Sequence, residues 1–277
     1  MVRRLVQVSD LHFGALRAET VEPLLRHLRS LCPDVFVVSG DLTQRATRAQ
    51  FVSAREFLER VPCHRQVVVP GNHDVPLWNV WKRFGEPRQR FDKHISGEPF
   101  PTAIDEELAV VGVNTARSWA ISNGRINARQ LMEVARRFRE APPGALRVLT
   151  CHHPFVLPEG TPAKERARRS DMALGSLVEY QVDMLLTGHR HVPWVSNLGT
   201  AIPTVHGGTT TSSRTRGVEN SFNELLVDST EVTVRRFSWR PSLKDFLVDE
   251  PSTRVFSRDA VGRLTPSLPA PQSVRSL

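Results

Sequence analysis

At five places in this chain an apolar run ends in residues whose side chains could hold a metal ion. Arg4 to Ser9 leads into Asp10-Leu11-His12, and Val35 to Ser39 into Gly40-Asp41. Val67-Val68-Val69-Pro70 leads into Gly71-Asn72-His73-Asp74, Leu146 to Cys151 into His152-His153-Pro154, and Met184 to Thr187 into Gly188-His189-Arg190-His191. Asp10, His12, Asp41, Asn72, His152, His189 and His191 supply two carboxylates, one amide and four imidazoles. That mixed oxygen and nitrogen set suits Mn, Fe or Zn, and it is too large for one ion. If one carboxylate bridges, two ions each gain roughly four protein contacts and keep room for water, as a catalytic pair requires. Two divalent ions, less the charges of Asp10, Asp41 and a bridging hydroxide, leave about one unit of positive charge, which a monoanionic phosphodiester would neutralise.

The spacing carries its own expectations. Asp-x-His and His-x-His at a strand end predict two side chains on one face, because alternate residues of an extended chain point the same way. The glycines before Asp41, Asn72 and His189 predict close approach of the backbone to the ions. Coincident polar groups at buried strand ends would cost desolvation with nothing gained, so a purely structural role for the seven is a poor account of them. Lone histidines fare differently: His27, His64 and His94 read as structural or surface residues. His153 adjoins the expected site as either a contact or a support behind one, and His206 as a neighbour of the site or a cap for its glycine loop. Cys151 is expected to point into the core.

The elements that must position these groups follow from periodicity. Val21, Leu24, Leu25, Leu28 and Leu31 predict a helix over 20–31, and Phe51, Val52, Phe57, Leu58 and Val61 one over 48–61, with strands at Val35 and near Gln66. Strands and helices in alternation predict an α/β layer structure with parallel pairing in the first half. Residues 75–100 depart from that rhythm. Their Trp78, Trp81, Phe84 and Phe91, with Lys82, Arg83, Arg88, Arg90 and Lys93, read as a helical excursion whose aromatics serve mainly packing. A strand at 108–113, a helix at 127–139, a charged mobile segment at 161–170, an amphipathic stretch at 172–180 and strands at 202–205, 222–227 and 231–239 complete the pattern. Residues 207–217 read as a loop carrying Arg214 and Arg216. Beyond Pro241 the chain is rich in Pro and Ser with little periodicity, so residues 1–240 are expected to form the catalytic domain and 241–277 an irregular C-terminal extension.

With 277 residues, 40% of them hydrophobic, the chain is long enough for one large globular domain. A net charge of +8 favours anionic partners, whether phosphorylated small molecules, lipid surfaces or nucleic acid, although arginine-rich faces are more often simply solvated. Three cysteines without C-x-x-C spacing exclude a disulfide framework and a thiolate zinc site, and are read as reduced and buried. No stretch approaches the roughly 20 apolar residues of a membrane span, and Met1-Val2-Arg3-Arg4 runs straight into a strand, so a cytoplasmic location is expected.

The five blocks Asp10-x-His12, Gly40-Asp41, Gly71-Asn72-His73-Asp74, His152 and Gly188-His189-x-His191, in this order, resemble those of the calcineurin-like metallophosphoesterases. Val8-Ser9-Asp10-Leu11-His12, Ser39-Gly40-Asp41-Leu42-Thr43, Pro70 to Asp74 and His152-His153-Pro154 are most similar to the class III cyclic-nucleotide phosphodiesterases. The resemblance implies a four-layer αββα sandwich of α/β class with two metal ions at the strand ends. It implies that Asp10, His12, Asp41 and His191 hold one ion and Asp41, Asn72, His152 and His189 the other. His73 would then protonate the leaving oxygen or stabilise phosphoryl charge, Asp74 would orient it, and a hydroxide between the ions would attack phosphorus. Asn72, His73, Arg214 and Arg216 are the candidate substrate contacts, the arginines as a phosphate clamp or as solvated loop residues. The expected function is a metal-dependent phosphodiesterase with a small-molecule phosphoester substrate, cyclic nucleotides leading. Glycerophosphodiesters, nucleotide-lipid diphosphates and DNA are the alternatives, with nucleic acid not favoured and a homo-oligomer left open. A scaffold that keeps the fold without activity would need a lost ligand, and none is missing. A purple acid phosphatase is disfavoured because Leu42-Thr43-Gln44 follows Asp41, where that group places a tyrosine nearby, and the only tyrosine here is Tyr180.

Overall fold

The structure is a computed structural model and describes residues 2–76, 85, 87–118, 123–196 and 202–265. Strand β1 (Arg3–Val8) is followed by helix α1 (Val21–Leu31), β2 (Val35–Val38), α2 (Arg48–Glu59) and β3 (Arg65–Val68). These three strands pair in parallel, in register Leu5 with Val35 and Val35 with Arg65. After α3 (Gln89–His94) come β4 (Thr102–Ile104), β5 (Leu108–Gly112), α4 (Ala128–Phe138), β6 (Leu146–Thr150), α5 (Ser170–Glu179) and β7 (Met184–Thr187). Next are β8 (Trp194–Val195), β9 (Thr204–His206), β10 (Ser221–Val227), β11 (Glu231–Arg240), β12 (Asp245–Val248), β13 (Arg254–Arg258) and β14 (Leu264–Thr265). The first sheet runs β14-β13-β11-β10-β1-β2-β3, with β12 also on β11, and the second runs β4-β5-β6-β7-β9-β8.

Period-two burial sorts the strand residues into layers. Val35 and Val37 face the core between the sheets, with Leu5, Val67, Val110, Val148 and Leu186, while Phe36 and Val38 face the opposite way. That outer face packs against Leu24, Leu25 and Leu28 of α1 and Phe51, Ala54, Phe57 and Leu58 of α2. The second sheet turns Ala109, Val111, Leu149 and Leu185 toward Leu131, Val134 and Phe138 of α4 and Ala173 and Leu177 of α5. Helices, sheet, sheet and helices therefore stack as the expected four-layer αββα sandwich. The helix starts are set by side chains: the Thr47 hydroxyl accepts from Gln50 N at 3.3 Å, and Asn127 and Gln130 cap each other at 2.9 and 3.2 Å.

Three expectations change. Residues 245–265, read as part of an irregular extension, form β12, β13 and β14 of the first sheet, and Phe246 is fully buried against Phe222 and Trp239. Residues 266–277 lie outside the described residues. Cys151 is buried as expected, but Cys32 is exposed at the end of α1 and Cys63 is half-buried. The segment 161–170 is tied down by backbone bonds from Ala167 N to Pro154 O and from Ile126 N to Arg168 O. Of the excursion, Trp78, Trp81, Lys82, Arg83 and Phe84 lie outside the described residues, whereas Phe91 packs edge-on against Phe51, as a packing role requires. Among the described residues no helix is long and apolar enough to cross a membrane.

Candidate metal centre

Each of the five expected loops leaves the C-terminal end of a parallel strand, and the two sheets bring them together. Asp10 and His12 follow β1, Asp41 follows β2, Asn72 follows β3, His152 follows β6, and His189 and His191 follow β7. Asp10, His12, Asp41 and His191 offer ligand atoms within 4.8 Å of one another, and His152, His153 and His189 form a second such group. His12 Nε2 lies 3.2 Å from His191 Nε2, 3.8 Å from Asp10 Oδ1 and 3.7 Å from Asp41 Oδ2. His152 Nε2 lies 3.1 Å from Asn72 Oδ1, 3.3 Å from His189 Nδ1 and 3.3 Å from the same Asp41 Oδ2. Asn72 Oδ1 is 3.0 Å from His189 Nδ1. One carboxylate oxygen of Asp41 therefore faces both groups.

The donors are oriented from behind. His191 Nδ1 is 2.6 Å from Arg214 O and His152 Nδ1 is 2.8 Å from Ser39 O. A carbonyl can only accept, so these Nδ1 atoms carry protons and Nε2 of each ring is the atom that faces the site. Ser9 Oγ and His189 N donate to Asp10 Oδ2 at 2.5 and 3.0 Å, which leaves Oδ1 without a well-aligned hydrogen bond. His73 N donates to Asp41 Oδ1 at 2.8 Å, leaving Oδ2 for the two groups. Imidazole nitrogens, carboxylate oxygens and an amide oxygen converging at 3 to 4 Å need protons or a cation between them, and a metal ion can take the place of those protons. The residues present thus fit a pair of metal ions.

Charge state agrees with this. Burial pushes His12 down to about 4 and His189 to about 3, so both rings are neutral near pH 7. Burial also acts against protonation of His152, but the Asp41 carboxylate beside it prevails and lifts it to about 9. For Asp10 and Asp41, burial favours the neutral acid, yet His191 and His152 respectively prevail and hold both carboxyls well below the usual range. The field that keeps a proton on His152 is the field that would attract a cation.

The geometry of the loops differs from the extended alternation expected. Asp10, His12 and Asp41 all stand at φ 52°, His189 at 74° and His191 at 62°, in the left-handed region that costs roughly 1–3 kcal/mol for a residue with a side chain. Asp10 and His12 share a face because tight turns redirect them. The turns are held by main-chain bonds from Asp10 N to Gly40 O (3.1 Å) and His12 N to Asp41 O (3.0 Å). Thr209, Thr210 and Thr211 act on the same loop: their hydroxyls reach Asp10 O, Ser9 N and Leu11 O at 2.7, 3.1 and 2.9 Å. The run Thr209-Thr210-Thr211 was the available sequence signal for this clamp. Close approach is real at Gly71 and Gly188, where a Cβ would collide with Asp41 and with Ser9 and Asp10.

The remaining candidates divide. His153 joins the second group, 4.7 Å from His189 between ring centroids, with Nδ1 paired to Thr115 Oγ1 at 2.8 Å. His206 does not reach the site: its Nε2 donates to Val156 O at 3.0 Å and its ring packs edge-on against Trp194. His73 packs edge-on against His12 at 4.9 Å, with Nδ1 2.9 Å from Gln44 O and Nε2 3.2 Å from Arg214 Nη1. Asp74, expected to orient the His73 ring, instead accepts from Leu42 N, Thr43 N, Thr43 Oγ1 and Gly71 N at 2.8–3.1 Å, locking the loop of His73 to the loop of Asp41. Its ring-orienting role passes to the Gln44 carbonyl. Arg214 and Arg216 are both exposed on the rim, and the charge of Arg216 helps disfavour protonation of His189.

Two side-chain groups able to hold metal ions stand at the strand ends of an αββα sandwich, the arrangement of a metal-dependent phosphoester hydrolase. Residues 3–193 match the calcineurin-like phosphoesterase family, and the chain belongs to it. It is 24% identical over 213 residues, 72% of this chain and 77% of the other, to a probable cyclic nucleotide phosphodiesterase of Synechococcus. Its fold is similar to that of a purple acid phosphatase from yellow lupin (Lupinus luteus) seeds, with TM-score 0.68, 14% identity and coverage of 98% of this chain. This chain spans only 57% of the lupin protein. A dimetal phosphatase from Danio rerio also shares the fold, with TM-score 0.62, 12% identity and coverage of 89% of this chain and 98% of that one. The likeness to the lupin enzyme does not bring a tyrosine to the site: Tyr180 caps α5 and packs in the outer helical core.

Proposed function

We propose that this chain hydrolyses phosphodiesters, cyclic nucleotides foremost, at a pair of metal ions, with residues 1–240 as the catalytic part. The observation that carries the reading is the single Asp41 oxygen facing two groups of converging oxygen and nitrogen atoms. Asp10, His12, Asp41 and His191 would hold one ion, and Asp41, Asn72, His152 and His189 the other, with His153 beside the second. When bound, such a pair supplies Lewis acidity toward the phosphoryl oxygens and a water acidic enough to attack phosphorus near neutral pH. The likeness to a probable cyclic nucleotide phosphodiesterase supports the diester as substrate.

His73 is placed to serve the leaving oxygen. Its Nδ1 carries a proton held by Gln44 O, so the neutral Nε2 accepts from Arg214. To protonate a leaving alkoxide, Nε2 must first be released by Arg214 and take a second proton from solvent. The two groups share one ring nitrogen, so substrate entry would swing the Arg214 fork onto a phosphoryl oxygen and free His73 for proton transfer. Asn72 Oδ1 is committed to the histidines, which leaves its amide NH2 as the part able to meet substrate.

Hydrolysis of bis(p-nitrophenyl) phosphate with and without Mn²⁺ tests the reading, and a panel of cyclic nucleotides, glycerophosphodiesters, nucleotide-lipid diphosphates and single-stranded DNA assigns the substrate. Metal-dependent release of p-nitrophenol is expected. No turnover under either condition overturns the proposal in favour of a non-catalytic anion-binding scaffold.

A further inference from the structure

Many arginines on this surface have a carboxylate beside them. Arg166 pairs with Asp171 at 2.9 Å, Arg190 with Glu165 at 2.8 Å, and Arg136 with Glu133 at 2.7 Å. Among the described residues that lack an acidic partner, as Arg214 and Arg216 do, are Arg117, Arg125, Arg168 and Arg169. These four lie together. Arg125 and Arg168 form a parallel backbone bridge, Arg168 N donates to Gly124 O at 2.8 Å, and Arg117 Nη2 donates to Arg125 O at 3.3 Å. The guanidinium of Arg117 is half-buried, its Nε is buried without a hydrogen-bond partner, and burial, followed by the nearby charges of Arg125 and Arg169, depresses its basicity. Arg169 stands at φ 69°, a left-handed conformation at the start of α5.

The segments that carry this cluster are the ones that hold His153. Thr115 Oγ1 pairs with His153 Nδ1, Arg125 N donates to Thr115 O at 2.9 Å, and Ala167 N donates to Pro154 O at 2.9 Å. Gly124 lies against the His153 ring so closely that a Cβ there would overlap it. The segments that carry the basic cluster therefore adjoin His153, which groups with His152 and His189. Like charges gathered without counter-charge repel one another, and a dianionic phosphate relieves that repulsion while matching the planar fork of each guanidinium.

We propose that Arg117, Arg125, Arg168 and Arg169 form a subsite for a second phosphate, so that the enzyme acts on phosphodiesters bearing a terminal phosphomonoester next to the scissile bond. The proposal rests on the phosphodiesterase reading above and extends it, since a cyclic nucleotide has one phosphate and would leave this subsite unused. A 5′-phosphorylated dinucleotide is a substrate of this kind.

The test compares a 3′-labelled, 5′-phosphorylated dinucleotide with its unphosphorylated twin, in wild type and in the double variant Arg125→Gln/Arg168→Gln, two exposed positions whose replacement spares the core. Binding is read by fluorescence anisotropy and turnover as the ratio of kcat/KM for the two compounds. Wild type is expected to favour the phosphorylated compound by about tenfold or more in both readouts, and the double variant to lose that preference to within about twofold. Equal binding of the two compounds by wild type, or a preference that survives in the variant, overturns the subsite. Bis(p-nitrophenyl) phosphate is assayed alongside. Its failure to react overturns the phosphodiesterase reading alone, because the anisotropy comparison still decides the subsite.

Discussion

Asn72 and His73 are neighbours in the chain with different surroundings, and substitution should separate them. Asn72 Oδ1 lies among ligand nitrogens, whereas the His73 ring is held by Gln44 O and Arg214 at the rim. Asn72→Ala is expected to lower the metal content of the protein, measured by inductively coupled plasma mass spectrometry. His73→Ala should retain metal and lose about 10²–10⁴-fold in turnover, the range for a positioned proton donor. Equal metal loss in the two variants would contradict this division. His206 offers a test at the same scale but of stability. Burial lowers it from 6.5 to about 3, so as pH falls through that interval the unfolded chain takes up a proton that the folded chain refuses. Stability should therefore be intact above pH 6.5 and fall below it, this residue contributing up to about 1.4 kcal/mol per pH unit. In denaturant melts from pH 7 to 5, His206→Gln should show the shallower decline. An unchanged slope would mean that His206 is not buried in neutral form.

At the scale of elements, the parallel strands and their helices were readable because strands such as β2 are buried on both faces and helices such as α1 have one apolar stripe. Val35 to Val38 is apolar throughout for that reason, and Leu24, Leu25 and Leu28 fall on one side of α1. The strands β12 to β14 escaped because they lie toward the edge of the first sheet. Arg254–Arg258 buries only Phe256 and Arg258, so backbone pairing to β11 defines it and side-chain periodicity scarcely does. Phe246 nevertheless anchors this end of the sheet in the aromatic cluster of Phe222, Phe237 and Trp239. Phe246→Ala is expected to destabilise the protein by about 3–5 kcal/mol, read as a lower midpoint in urea. A loss under about 1 kcal/mol would show that β12 adds little to the core. The loops were legible as ligand carriers but not as shapes: aspartate and histidine in the left-handed region have no local signature comparable to a glycine.

For the whole molecule, the charge of +8 and the arginines around the metal centre bear on encounter with substrate. Capture of an anionic diester should weaken as salt is added. The value of kcat/KM for bis(p-nitrophenyl) phosphate is expected to fall as ionic strength rises from about 0.01 to 0.15 M, where the screening length shrinks from about 30 to 8 Å, with kcat changing less. A kcat/KM indifferent to salt would show that the surface field plays no part in binding.

The chain on its own determined the chemistry available: five strand ends, seven donors of oxygen and nitrogen, and an order of strands and helices that leads to a layered α/β fold. Residue type dictates which atoms can bind a cation, and residue type is local information. Only the folded molecule decided that Asp41 turns one oxygen to both groups, that Asp74 locks two loops instead of orienting the His73 ring, that His153 joins the second group, and that threonines from a distant loop brace Asp10. Those outcomes depend on contacts between residues far apart in sequence, and their distances are set by how two sheets pack.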